Sequence, residues 1–366
     1  MLVIFVLVVY CYLYMDIQQL FAEAAHKEAS DIHLIVGFPP MIRVSGILFP
    51  AEGTSILTDD SAKELIYSTL SAEQKEVYET NKEIDYSLAS AVGRFRVNVY
   101  MQKGTIAAAF RLIPQKIKTI EELGLPDICH QFVKLRQGLV LVTGPTGHGK
   151  STTLASMINM INQNRATHIV TIEDPIEYVY PTGQSIVSQR EMHGDTHSWN
   201  VALRSVLRED PDVVLIGEMR DLETIQSAIT IAETGHLVFA TLHTNSAAQT
   251  VDRIVDVFQE NQQVQVRLQL SNVLEGVLSL RLIPSLSGGR IPASEILTAT
   301  PAVRTLIREG KTHQIDNIIQ TSAEFGMQTL ETSLAQSVRS GAISLEVANA
   351  FALRPEELGR LLQRTV

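Results

Sequence analysis

A chain of 366 residues is long enough for two domains, each burying its own core. Its net charge of −10 argues against a dedicated nucleic-acid surface, which needs clustered Lys and Arg. Two cysteines, Cys11 and Cys129, exclude a disulfide framework and a Cys-x-x-Cys zinc site, and suit a reducing cytoplasm.

Residues 1–14, MLVIFVLVVYCYLY, are uncharged and apolar. As a helix they span roughly 21 Å, short of the roughly 30 Å hydrocarbon core of a bilayer. They also lack the basic region and cleavage site of a signal peptide. The expectation is that translation starts at Met15; a membrane-associating tail and a buried strand are the alternatives. From Asp16 on, Ile17, Leu20, Phe21 and Ala24 recur at helical spacing. Residues 32–36 read as a strand, Gly37-Phe38-Pro39-Pro40 as a turn, and 41–44 as a second strand. Thr58, Asp59 and Asp60 supply N-cap residues for a helix to about Thr69, and 71–79 makes another. Strands follow at 84–88, 93–101 and 105–112, Arg94 to Val99 alternating as a half-buried strand does. A small α+β domain is therefore expected over 15–112, and a linker over 113–125, which holds Pro114 and Gly124.

Beyond the linker the order becomes helix, strand, loop, helix, strand, which implies an α/β fold with a parallel sheet over about 126–265. Its strands are placed at 139–143, 168–172, 213–216 and 237–241. Residues 266–366 read as mostly helical, broken by a Gly/Pro/Ser-rich segment at 283–291.

The strand at 139–143 runs into GPTGHGKS, which fits the phosphate-binding pattern G-x-x-x-x-G-K-[ST] at every fixed position, and a helix follows. Gly144, Gly147 and Gly149 let the backbone turn its N–H groups toward phosphate oxygens at a helix N-terminus. Pro145, Thr146, His148 and Thr152 complete the stretch, and the His148 side chain is read as incidental. Lys150 is placed on the β- and γ-phosphates and the Ser151 hydroxyl on Mg²⁺, so the cofactors expected are ATP and Mg²⁺. Glu218 ends the apolar strand of DVVLIGE, where it can hold Mg²⁺ or polarise the attacking water. Glu173 closes the strand of TIEDPIE at the same edge of the sheet, and spacing leaves open which of the two is the general base. His243, after the strand at 237–241, is read as a γ-phosphate sensor or site organiser. A cation from outside the loop is sought among Arg94, Arg96, Arg111, Arg190, Arg204 and Arg208.

Several boxes taken together resemble the secretion-type hexameric ATPases, and among them the type IV pilus retraction motors. GPTGHGKST at 144–152 is similar to that family's GPTGSGKST, with His148 in place of serine. TIEDPIEY at 171–178, LREDPDVVLIGEMRDLET at 207–224 and TGHLVFATLHTNSA at 234–247 match its acidic, Walker B and histidine boxes. AVRTLIRE at 302–309 is close to the AIRNLIRE segment of retraction motors, departing at Val303 and Thr305. ASDIH, PPMIRVSG and GRFRVN in the first domain also fit, so the likeness runs from about Met15 to about Leu353.

The resemblance implies a PAS-like N-terminal domain, a RecA-like P-loop ATPase domain and C-terminal helices, assembled as a homo-hexamer. It implies ATP hydrolysis at Glu218, Glu173 and His243, with Arg96 and Arg111 completing the site and Arg94 a weaker candidate. The work implied is pilus retraction through an inner-membrane platform protein, at the cytoplasmic face of the inner membrane, with a paralogous pilus ATPase as a further partner. Membrane association is then peripheral, and no nucleic acid is bound directly. The alternatives are an accessory retraction ATPase, a secretion or pilus-assembly ATPase, a RecA-like nucleic-acid translocase, and a nucleotide-binding regulator that does not hydrolyse.

Overall fold

The structure is a computed structural model that describes residues 16–44, 46–114 and 116–363. The expectations for residues 1–14, Met15 and Cys11 lie outside the described residues. The chain divides into two compact units, Met1–Gln115 and Lys116–Val366.

In the first unit, helix α1 (Ile17–His26) precedes strands β1 (Asp31–Ile35), β2 (Met41–Val44) and β3 (Ile47–Pro50). Helices α2 (Asp59–Tyr67) and α3 (Ala72–Asn81) and strands β4 (Glu83–Ser90), β5 (Gly93–Gln102) and β6 (Thr105–Leu112) follow. The strands form one antiparallel sheet in the order β3-β2-β1-β6-β5-β4. Thr58 caps α2 with a capping box closed by Ser61. The residues of α1 at helical spacing, Ile17, Leu20, Phe21 and Ala24, are all buried, and the Phe21 ring stacks on Phe95 with centroids 4.2 Å apart. This is the PAS-like α+β domain that the resemblance implies. Strand β3, which the sequence reading missed, lies at the edge with all four residues exposed.

The second unit opens with α4 (Ile128–Phe132), β7 (Gly138–Thr143), α5 (Lys150–Asn164), β8 (His168–Glu173) and β9 (Ile186–Glu191). It continues with α6 (Trp199–Val206), β10 (Val213–Ile216), α7 (Leu222–Glu233), β11 (Leu237–Leu242), α8 (Ala247–Asp256) and α9 (Glu260–Val273). The hairpin β12 (Leu274–Pro284) and β13 (Arg290–Thr298) leads to α10 (Pro301–Arg308), α11 (Ile315–Thr321), α12 (Leu330–Arg339), α13 (Leu345–Phe351) and α14 (Pro355–Gln363). The sheet runs β13-β12-β7-β11-β10-β8-β9, all neighbours parallel except the β12–β13 pair. Alternate residues serve opposite faces: Leu139 and Leu141 pack with α6 to α9, whereas Val140 and Val142 pack with α5. Covering both faces explains the unbroken apolar runs of β7, β10 and β11.

One expectation is corrected here. The stretch from residue 266 on is mostly helical, as expected, but 274–298 is a long hairpin inside the ATPase sheet, where only a break at 283–291 was expected. β12 is buried on both sides, so its apolar run has no period-2 signature that separates it from a buried helix. Strand β9 was also missed.

The C-terminal helices pack on the far part of this hairpin through Ile283, Ala293, Leu330, Leu334 and Leu358. Beside that core Arg354 faces four carboxylates: Asp316 at 2.8 Å, Glu357 at 3.1 Å, Glu331 at 3.2 Å and Glu295 at 3.5 Å. Glu331 and Glu295 are fully buried, and burial pushes the Glu295 carboxyl up to about 7. Removing the cation strands these charges in the interior, so Arg354→Met is expected to cost about 3–5 kcal/mol. Since protonation relieves a buried carboxylate, the loss should be smaller at pH 6 than at pH 8. Denaturant unfolding of the two proteins at both pH values checks this.

Candidate active site

Strand β7 ends at Thr143 and the chain turns through 144–149 into α5. Gly144 has φ of +138°, and a Cβ there would lie 2.4 Å from the Leu280 carbonyl oxygen of β12. Gly149, at φ +87°, is the N-cap of α5, so the loop delivers its N–H groups to a helix N-terminus. Lys150 is the first residue of α5 and Ser151 the second. The Lys150 ammonium donates to the Gly144 carbonyl at 2.9 Å and the Pro145 carbonyl at 3.1 Å. Burial lowers its pKa, with Glu218 and Glu177 opposing. Thr152 Oγ1 lies 2.9 Å from Tyr178 Oη.

Strand β11 separates β7 from β10 in the sheet. His243, just beyond the C-terminal end of β11, therefore stands between the phosphate loop and the end of β10. Its Nδ1 lies 3.4 Å from both Lys150 Nζ and Thr146 Oγ1, and its Nε2 lies 3.0 Å from Glu218 Oε1. The other oxygen, Glu218 Oε2, takes Arg220 Nη2 at 2.9 Å. Burial pushes the Glu218 carboxyl up, but Arg220 and His243 outweigh it and hold the group below the usual range. A cleft of about 530 Å³ opens beside Glu218, Arg220 and His243, bounded on its far side by Gln249, Asp252, Arg253 and Asp256 of α8.

Glu173 closes β8, the strand paired with β10 in the register Ile172↔Ile216. Its Oε1 accepts from Thr171 Oγ1 at 2.6 Å and Gln189 Nε2 at 3.3 Å. Burial nevertheless raises its pKa to about 7. Gly217 brings the two carboxylate strands together, because a Cβ there would lie 3.2 Å from Glu173 Cα. Mg²⁺ is a hard cation that takes oxygen donors, the kind that the Ser151 hydroxyl and the Glu218 carboxylate carry.

The structure thus brings Thr146, Lys150, Glu218 and His243 into contact and sets Glu173 on the adjoining strand. Arg190 is occupied elsewhere, bonded to Glu209 at 2.7 Å and Ser205 at 3.0 Å. Arg204 and Arg208 are exposed on and just after α6. In the first unit Arg43, Asp31, Arg111 and Arg96 stand in one cross-strand row. Arg111 Nε bonds Asp31 at 2.9 Å, and Arg96 faces Arg111 directly, an arrangement of like charges that costs stability. The His148 ring is not incidental: its Nδ1 accepts the Leu282 N–H at 2.9 Å. Sequence reasoning missed Arg220, although it lies two residues after Glu218 in the same loop, and it missed the Thr171 and Gln189 donors.

A family model for "Type II/IV secretion system protein" matches residues 12–288. The chain is 49% identical over 347 residues to the type IV pilus retraction ATPase PilT of Pseudomonas aeruginosa, covering 93% of this chain and 99% of that one. It is 38% identical over 351 residues to the type IV pilus ATPase PilU of the same organism, covering 95% and 92%. The crystal structure of the pilus retraction motor PilT with bound ADP superposes with a TM-score of 0.89 at 47% identity, covering 94% of this chain and 99% of that chain.

The close seat of the loop on β12 makes Gly144 irreplaceable. Gly144→Ala is expected to weaken ADP binding at least about tenfold, since the backbone at Leu280 leaves no room for the methyl group. Calorimetric titration of ADP, run beside a melting curve, measures it; wild-type affinity in the variant would mean the loop does not rest on β12.

Proposed function

The chain belongs to the type II/IV secretion system protein family, and on that premise we propose that it is an ATP-hydrolysing motor of type IV pilus retraction. The observation that carries this reading is the bridge from Lys150 through His243 to Glu218, in a chain so close to a retraction ATPase over nearly its whole length. The greater identity to PilT than to PilU favours a principal motor over an accessory one.

The two carboxylates differ in a way that suits two roles. Glu173, pushed up to about 7, is the general base that takes the proton of the attacking water. Glu218 is held ionised by Arg220 and His243 and, with Ser151, would hold the metal. Mg²⁺, when bound, neutralises charge on the β- and γ-phosphate oxygens. The loop N–H groups and Lys150 hold those phosphates, and His243 reports their state to Glu218. Arg96 and Arg111 are assigned to the nucleotide of a neighbouring subunit; the unfavourable facing of two guanidinium groups fits a row that meets an anion. The working assembly is a homo-hexamer acting on an inner-membrane platform protein at the cytoplasmic face. Among the described residues no helix is long and apolar enough to cross a membrane.

The segment at 302–309 has an inner and an outer side. Val303 and Ile307 are buried, and Arg304 donates to the carbonyls of Ser271 at 2.7 Å and Asn272 at 2.9 Å, fixing the end of α9. Ala302, Arg308 and Glu309 are exposed. The outer side is assigned to force output and the inner side to the fold.

Lys150→Ala should lower Mg²⁺-dependent ATP turnover at least about a hundredfold. Glu173→Gln should lower it about 10²–10⁴-fold while ADP still binds, and wild-type turnover should climb between pH 6 and pH 8 as the base loses its proton. A pH profile that is flat across this range removes Glu173 from the role of base. Arg96→Ala and Arg111→Ala should cut turnover far more than nucleotide affinity; a parallel loss of both would mark a fold defect. Arg308→Ala should abolish pilus retraction in cells with ATP turnover kept, and loss of both together sinks the division of sides.

A further inference from the structure

The phosphate loop is fastened to β12 by side chains as well as by close packing. β7 and β12 pair only as far as Thr143 and Ser279, and beyond that register the loop itself lies along β12. Gly144 rests on the Leu280 carbonyl and Gly149 on the Leu282 side chain. Between them Leu282 N–H donates to His148 Nδ1 at 2.9 Å, and Arg290 Nη1 donates to the Gly147 carbonyl at 3.3 Å. A ring nitrogen that accepts carries no hydrogen, so the neutral ring holds its proton on Nε2. The charged groups facing the ring are Arg281 from β12, Arg290 from β13 and Lys150 from α5, and all are cations. Partial burial first, and then these three charges, hold the ring below the usual histidine range.

We infer that His148 is a proton-linked latch on the phosphate loop: neutral, it holds the loop on β12 through Leu282, and protonated, it releases it. The inference rests on the nucleotide-site reading above. Phosphate oxygens seated on the loop reverse the sign of the local field and favour the imidazolium. Solvent supplies the proton to Nδ1, which then donates and can no longer accept the Leu282 N–H. Because binding raises the proton affinity of the ring, protons must raise nucleotide affinity in return, the attraction of the imidazolium for the phosphates outweighing the loss of the Leu282 bond, a gain that an uncharged ring without an acceptor does not have.

The test is calorimetric titration of ADP without Mg²⁺ into the full chain, wild type beside His148→Asn and His148→Phe, in buffers of different ionisation enthalpy. Asparagine carries an acceptor, Oδ1, where histidine carries Nδ1, and it does not titrate. At pH 8 His148→Phe should bind ADP about three- to tenfold more weakly than wild type, and His148→Asn should restore the loss. Between pH 8 and pH 6 wild type should gain about three- to tenfold over His148→Asn, and should take up protons on binding that His148→Asn does not. Equal proton uptake and a constant affinity ratio would overturn the latch, as would wild-type affinity in His148→Phe at pH 8. If His148→Phe does not fold, the comparison of wild type with His148→Asn decides alone. Failure of all three proteins to bind ADP is a different result: it removes the nucleotide site itself, and the latch with it.

Discussion

Strand β11 lies between β7 and β10, and that single insertion sets the spacing of the whole site. Neighbouring strands stand about 4.8 Å apart, so groups delivered by β7 and β10 are separated by about twice that distance. A lysine at the end of one and a carboxylate at the end of the other do not meet unaided. The residue that follows β11 spans the gap, and an imidazole suits it because its two nitrogens point opposite ways. His243 therefore reaches Lys150 and Thr146 with one nitrogen and Glu218 with the other. Displacing β11 would separate the loop from Glu218 however well each half was built.

The same sheet edge gives two glutamates opposite characters. Glu218 follows a glycine into an open loop, where Arg220 and His243 each take one of its oxygens. Glu173 is the last residue of a strand, surrounded by neutral donors and burial. Carboxylates one strand apart are thus separated in proton affinity by what surrounds them, so an ionised carboxylate stands beside one that can be protonated near neutrality.

Much of this was legible from residues alone, for physical reasons that can be named. The phosphate loop has a fixed spacing and glycines that backbone geometry demands, so Gly144, Lys150 and Ser151 could be located without a structure. Strands β7, β10 and β11 are short apolar runs bounded by turn residues, and their ends announced Glu218 and His243. The β12–β13 hairpin was not legible, because a strand buried on both faces has no alternation to set it apart from a helix. That loss had a consequence at the site. With β12 read as helix there was no strand edge for the loop to rest on, and the His148 ring had no visible partner. Arg220 escaped for another reason: its role depends on how a loop folds back on Glu218, which periodicity does not encode.

The hairpin also ties the site to the rest of its unit. Glu295 of β13 is fully buried, and its Oε1 accepts the N–H of Ala247 at 2.7 Å, at the start of the helix that follows the His243 loop. Its Oε2 faces Arg354, whose guanidinium is shared with Asp316, Glu331 and Glu357 from the C-terminal helices. One buried side chain thus caps the helix after the histidine loop and joins the charge cluster of the C-terminal layer. Four carboxylates around one guanidinium form an expensive arrangement that hydrophobic residues of similar volume would often improve on. Charge contacts in a low-dielectric interior are strong, however, so Arg354 on one side and the Ala247 N–H on the other restrict where Glu295 can lie. Through that one side chain, the helix after the histidine loop is tied in position to the C-terminal layer.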